Sequence, residues 1–191
     1  MDLPYRTDAA RIAPLPLDKW DPELRQAATS NRPAEMGAPE APVLNVLKTI
    51  ANHPRLAKHF MGWAGQLLLR SSLPAREREM AILRVGWLAQ ATYEWTHHVE
   101  IGLDHAGMSD ADIDKVKLGA MPESMAPDDV LLRAVDELVQ DHFIGEATWA
   151  ALAGRFSEVQ MMDLVFVVGN YSMISMALNS FGVRLEEKYA S

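Results

Sequence analysis

The sequence predicts an all-α protein, and three observations carry that prediction. Apolar residues recur at helical spacing through most of the chain. No stretch alternates convincingly at period two, and the breaks between periodic segments fall at turns rich in proline or glycine. The expected architecture is a bundle of eight or nine helices. An extended arm over residues 1–40 precedes a single helical domain over residues 41–191.

The arm is set apart by its prolines. Residues 1–42 hold seven of the 11 in the chain, and segments such as LPLDKWDPEL and NRPAEMGAPEAP leave room for one short helix, near Asp21 to Ala28. Ile12, Leu15, Leu17 and Trp20 are apolar anchors, which favours packing over disorder.

From Val43 the pattern turns helical, with Val43, Val46, Leu47 and Ile50 on one stripe. His53-Pro54 breaks it, since the residue before a proline resists the α region, and a second helix runs from Pro54 to Leu69. Ser71-Ser72-Leu73-Pro74 is expected to cap a helix reaching about Ala91, with Glu77 and Glu79 in its first turns where the helix dipole favours acids. Another helix follows from Tyr93 to His105 and stops at Ala106-Gly107. Ser109 caps a short helix, and further helices fit Val130 to Asp141, Gly145 to Arg155 and Glu158 to Phe181. MAILRVGWLAQATYEW and VQMMDLVFVVGNYSMI share a pattern ending near Tyr93 and Tyr171, 78 residues apart (171 − 93). Either a duplicated helix pair or chance resemblance accounts for it.

Composition narrows the function. The formal charge is −8 and no basic run exists, which works against nucleic-acid binding. The most apolar stretch, residues 164–169, is far short of the roughly 20 residues a membrane span needs. The N-terminus lacks the basic-then-apolar pattern of a secretion signal, so a cytoplasmic protein with no membrane partner is expected. With no cysteine, disulfides, thiolate nucleophiles and thiol redox chemistry are out of reach. Neutral-pH acid–base chemistry falls to the six histidines.

One cluster stands out among them. Glu94 and His98, four apart on a helix, project from the same face, while His97 sits one step round with Tyr93 and Ile101. A Glu–His pair of this kind is either a surface contact worth a few tenths of a kcal/mol or an acid–base pair. If the two helices of this region are packed neighbours, Glu79 can reach His98 and hold its tautomer. Arg84, between Leu83 and Val85, either pairs with a buried acid or binds a substrate carboxylate. No metal spacing is present: His97 and His98 diverge on a helix, and only Glu79, Glu94 and His98 are even conceivable as a ligand set. His53, His59, His105 and His142 read as packing, surface or helix-end residues.

The run REREMAILRVGWLAQATYEWTHHVEIGLDHAGMSDADI resembles the signature of the carboxymuconolactone decarboxylase family, which includes the alkylhydroperoxidase-D-like proteins. The likeness joins R-E, an apolar helix, Y-E-W, H-V and A-G-[LM]-[ST] in order over residues 76–113. In the redox branch of that family a C-x-x-C precedes a histidine by four residues, and a glutamate lies on the helix before. Here the histidine falls on His98, the glutamate on Glu79, and the two cysteine positions on Ala91 and Glu94. The resemblance therefore implies the branch without the redox pair, with thiol peroxidase activity excluded. It further implies an alkylhydroperoxidase-D-like bundle, no cofactor, a small-molecule substrate and a homo-oligomer, either trimer or hexamer.

The activity so implied is a decarboxylase-like lyase acting by proton transfer on a small carboxylated lactone or unsaturated acid, a product of aromatic-compound degradation. In that reading His98 is the proton donor, Glu79 orients it, and Glu94 is a second acid–base group. Arg84 or His97 contacts the substrate carboxylate. Tyr93 and Trp95 line the pocket, with core packing the competing role for Trp95. Two alternatives remain at this stage: an isomerase or hydratase using the same dyad, and a non-catalytic oligomeric binding protein.

Overall fold

The computed structural model describes residues 3–30 and 43–189. Among them are nine α-helices and no strand. The expected boundary near residue 40 and the NRPAEMGAPEAP segment lie outside the described residues. The described residues divide into two compact units.

One unit holds Tyr5–Arg70 with the chain from Leu178 onward. It contains α1 (Pro22–Ser30), α2 (Asn45–Ile50) and α3 (Pro54–Leu69). Trp20, Leu24 and Ala28 are buried with Val43, Ile50, Ala51 and Ala57, so the arm does pack through its apolar anchors. Leu15 and Leu17 close over the same cluster, and the Trp20 indole N–H donates to the Leu15 carbonyl at 2.9 Å. Ile12 is the exception: its side chain is exposed, and its backbone N–H reaches the Phe181 carbonyl instead. His53 caps α3 by accepting the Leu56 N–H.

The other unit runs from Ser71 to Ala177, with Leu3 and Pro4. It contains α4 (Ala75–Leu88), α5 (Thr92–His105), α6 (Asp110–Leu118), α7 (Pro127–Gln140), α8 (Glu146–Ala153) and most of α9 (Glu158–Phe181). Helix α4 is central, packing against α5, α6 and α7. Every residue from Glu79 to Gly86 is buried, which is why its sequence is apolar all round and not striped.

The turn between α4 and α5 is tight because it is a Schellman motif. The Ala91 N–H returns to the Gly86 carbonyl and that of Gln90 to Trp87, with Gln90 at φ 50° in the left-handed region. This stop comes earlier than the expected end near Ala91, since no glycine advertises it.

The serines ahead of α4 do not cap it. Ser71 and Ser72 hydroxyls and the Ser72 N–H all donate to Asp163 on α9, and Pro74 precedes the helix without a side-chain cap. The start of α4 is tied down by Arg76, whose fork takes Asp128 at 2.7 and 2.9 Å and Asp112 at 2.6 Å. Ser109 caps α6 in a reciprocal box with Asp112. The repeated pattern resolves into unlike structures: the first copy breaks between α4 and α5, whereas the second is one unbroken helix. No duplicated helix pair is formed.

Helix α9 spans the expected Glu158–Phe181 and by length and composition alone is apolar enough to cross a membrane; half of its 18-residue apolar window is buried inside the protein.

Gly119, which ends α6, adopts φ 83° and ψ −167°, a region essentially confined to glycine. A Cβ there would also lie 2.7 Å from Cζ of the Arg84 guanidinium. Gly119→Ala is expected to lower stability by about 1–3 kcal/mol or more, read as a denaturant midpoint. Gly62 on α3 is the contrast: nothing lies within 4 Å of its added Cβ, so Gly62→Ala should leave stability unchanged or raise it by up to about 1 kcal/mol. Equal effects at the two positions would show that backbone geometry at Gly119 is not under constraint.

Candidate active site

Four residues of α4 and α5 meet in the interior, and the close approach of the two helices sets their spacing. Gly86 lies where a Cβ would stand 3.5 Å from the Glu94 side chain and 3.6 Å from the Trp95 nitrogen. At that crossing Glu79, fully buried, accepts a hydrogen bond from His98 Nδ1 at 2.7 Å. A carboxylate only accepts, so this contact places the proton on Nδ1. The other ring nitrogen, Nε2, faces Glu94 Oε1 at 3.4 Å, the i,i+4 pair of the same helix. Arg78 closes the cluster from the other side: its Nε and Nη2 both lie 3.1 Å from Glu79 Oε1.

Tyr171 of α9 stands edge-on to the imidazole, ring centroids 5.0 Å apart. Its hydroxyl has no described hydrogen-bond partner. Burial first, and then the charges of Glu94 and Glu79, push its pKa well above the ordinary range. It is thus a neutral donor at any physiological pH.

The electrostatics follow from burying two carboxylates about one imidazole. Burial is the largest influence on Glu94 and raises it to about 7; the Glu79 charge adds to this and His98 opposes it. Burial also works against the His98 cation, but the charge and hydrogen bond of Glu79, reinforced by Glu94, outweigh it and raise His98 above its usual 6.5. Near neutral pH the cluster therefore has a carboxyl group shared between acid and base forms, beside an imidazole inclined to hold its proton.

The other expected site residues lie at different distances from this centre. Arg84 is in an ion pair: Nε and Nη2 take the two Asp136 oxygens at 2.6 and 3.0 Å, and Nη1 donates to the Val116 and Lys117 carbonyls. Four of its five N–H groups are thereby occupied, so an incoming carboxylate finds no free fork there. Trp95 packs, buried, against Trp87 at 5.1 Å with Lys117 above it. Tyr93 is buried and stacks with the half-buried His97 at 4.6 Å, on the neighbouring face of α5. Glu79 and Glu94 face opposite nitrogens of His98, and among the described residues no three candidate ligands are grouped to hold a metal ion.

Arg78 and Tyr171 are the residues that sequence reasoning missed. Arg78 sits in the R-E-R-E opening directly before Glu79, and Tyr171 was marked only by its likeness to Tyr93. Two buried polar atoms on α9, Asn170 Oδ1 and Ser175 Oγ, also lack a partner among the described residues.

Residues 54–127 match the carboxymuconolactone decarboxylase family. No curated protein matches the chain. Among solved structures, an alkylhydroperoxidase AhpD core protein, an uncharacterized peroxidase-related protein from Ralstonia eutropha JMP134, is 20% identical. The match covers 95% of each chain with a TM-score of 0.78. An uncharacterized peroxidase-related protein from Silicibacter sp. TM1040 is 21% identical over 96% of each chain, TM-score 0.72. The debrominase Bmp8 is 14% identical over 92% of each chain, TM-score 0.69. These likenesses identify the all-α, alkylhydroperoxidase-D-like fold, and the lack of cysteine accords with the branch that has no redox pair.

The raised Glu94 has a consequence for stability. Between its ordinary value of 4.5 and about 7 the folded state holds a proton that the unfolded chain has released, so stability falls as pH rises through that window and stays lower above it. Raised His98 acts with the same sign, favouring the fold below its unfolded pKa and losing that contribution as pH climbs through the folded one. Glu94→Gln mimics the neutral acid. It is expected to stabilise the fold at pH 8 by on the order of 2–3 kcal/mol, a gain that vanishes below about pH 4.5. Melting curves across that range check it; a gain independent of pH would show that Glu94 carries no burial penalty.

Proposed function

We propose that this protein, whose residues 54–127 match the carboxymuconolactone decarboxylase family, is a cofactor-free lyase that moves a proton on a small carboxylated lactone or unsaturated acid. The observation that carries the reading is the clamped imidazole: Glu79 on Nδ1 at 2.7 Å and Glu94 opposite Nε2 at 3.4 Å. The first carboxylate holds the ring and stabilises its cation; the second lies where a proton can be exchanged with Nε2. That division of labour suits a reaction in which charge develops on a carbon and must be quenched.

For decarboxylation the balance is simple. The bond from carbon to the departing carboxylate breaks, carbon dioxide leaves, and the electron pair passes into the conjugated system. The carbon that receives it takes the Nε2 proton of His98. Glu94 returns a proton to the imidazole and is itself recharged from solvent. Tyr171, kept neutral, supports the reading as a hydrogen-bond donor to the oxygen that carries charge along the way. An isomerase is the second reading, favoured by the pairing of two titratable groups at one nitrogen, since isomerisation needs a proton removed as well as delivered.

The reading places the protein in the cytosol and includes self-association. Helix α9 exposes Val159, Met162, Phe166, Met173 and Met176 along one side, an apolar stripe that a second copy would cover. Size-exclusion chromatography with light scattering is expected to show an oligomer that Met176→Glu shifts towards smaller species. A monomer in the unsubstituted protein would end that part of the proposal.

Purified protein offered a panel of carboxylated lactones and unsaturated acids should release carbon dioxide from at least one of them. His98→Ala should cut kcat by about 100- to 10,000-fold. It should also lower the melting temperature, because it removes one of the two donors to buried Glu79; the assay is therefore run at a temperature where circular dichroism shows the variant folded. Glu79→Gln should lower kcat and move its pH optimum. Proton-transfer products without carbon dioxide would select the isomerase. No turnover across the panel would leave a binding protein, and full activity in His98→Ala would remove His98 from the reaction.

A further inference from the structure

We infer that Arg78 is the carboxylate-binding residue of this site, its guanidinium held against Glu79 beside His98 and open to an anion. The inference rests on the acid–base reading above and supplies the anchor that reading needs.

Helix α4 carries three arginines, and the structure distinguishes them sharply. Arg76 places its fork on Asp128 and reaches Asp112 as well. Arg84 places its fork on Asp136 and gives Nη1 to two carbonyls. Both have their forks filled by an acid from another helix and serve the fold. Arg78 meets one oxygen of one carboxylate, and that carboxylate belongs to the next residue in the chain. Both Nη1 protons and at least one Nη2 proton have no partner among the described residues. Its side chain is 15% exposed, and Nη1 is not among the buried polar atoms that lack a partner, so the unfilled edge is open to solvent while the rest of the side chain is held against the protein. A guanidinium fixed in place by Glu79, with one edge free and reachable from solvent, matches a planar, two-oxygen acceptor.

Charge points the same way. Glu79 alone answers two cationic groups, Arg78 on Oε1 and His98 on Oε2. Among the described residues Glu94 is the only other carboxylate facing the imidazole, and its burial favours the neutral acid. A bound carboxylate restores neutrality while Glu94 keeps its proton, so anchoring and proton donation reinforce each other. Because a guanidinium stabilises the carboxylate it holds, that group would resist loss as carbon dioxide. Arg78 therefore holds a carboxylate that the product retains.

The test uses two non-reacting probes: paraconate, a saturated lactone carboxylate, and γ-butyrolactone, which lacks the carboxylate. Calorimetric titration should show the unsubstituted protein preferring paraconate. Arg78→Met should weaken paraconate about 10- to 100-fold and leave γ-butyrolactone unchanged. Arg78→Lys, keeping the charge without the fork, should fall between. If Arg78→Met fails to melt cooperatively, the Lys variant decides alone: weakened paraconate supports the anchor and unchanged binding overturns it. The assignment is also overturned if the unsubstituted protein does not prefer paraconate, or if a folded Arg78→Met binds it normally or loses both probes alike. The two proposals fail separately. His98-dependent turnover with a KM untouched by Arg78→Met removes the anchor and keeps the lyase; Arg78-dependent binding with no turnover does the reverse.

Discussion

The constraint on which the larger unit depends is the burial of Glu79. A carboxylate with no exposure survives in a protein interior only when both oxygens are answered by strong donors, because an unpaired charge there costs several kcal/mol. His98 answers one oxygen and Arg78 the other. Those two donors come from different helices, so the spacing of α4 and α5 cannot drift without exposing a charge to apolar surroundings. The small residue at Gly86 and the tight Schellman turn at Gln90 are what permit that spacing. A bulkier side chain or a looser turn would lengthen a bond that has no replacement.

The rest of α4 is organised to hold the helix at a fixed depth and rotation. Arg76 pins its first turn to the starts of α6 and α7, and Arg84 pins its middle to α7 and to the end of α6. The second of these contacts needs a backbone at Gly119 that leaves room for a guanidinium. Two arginines thus act as struts, and their expense is repaid in rigidity around a pair of side chains that must not move.

Much of this was legible in the sequence. The helices of the larger unit follow from apolar spacing and punctuation, and Ser109 reads correctly as a cap because capping is a local matter. The face shared by Glu94 and His98 follows from helical geometry alone. What could not be read was any choice that depends on a distant partner. Ser71 and Ser72 have the chemistry of caps but serve Asp163, 92 and 91 residues away in the chain. Arg84 offered two roles, and only the position of Asp136 distinguishes them. Arg78 looked like one more charge in a polar helix start, since nothing in R-E-R-E says which arginines will meet acids from elsewhere. The turn at Gln90 was hidden by its residue type, left-handed backbone being expected of glycine.

A structural role alone does not account for Glu94. The Glu79–His98 pair is complete without it, and its own contact to Nε2, at 3.4 Å, is long for a hydrogen bond that would offset its burial. The fold bears a carboxylate whose ionisation is opposed by its surroundings, where a leucine or glutamine would pack at no such cost. Costs of this kind, left unrepaid by packing, are characteristic of positions that do something other than hold the structure together. By the family likeness the same position carries a cysteine in the redox branch. A thiol and a carboxyl group share little except the ability to trade a proton near neutral pH once their environment is tuned. Here the carboxyl group of Glu94 stands 3.4 Å from Nε2 of the imidazole, with burial favouring its protonated form, and packing alone gives no reason for an ionisable side chain at that position.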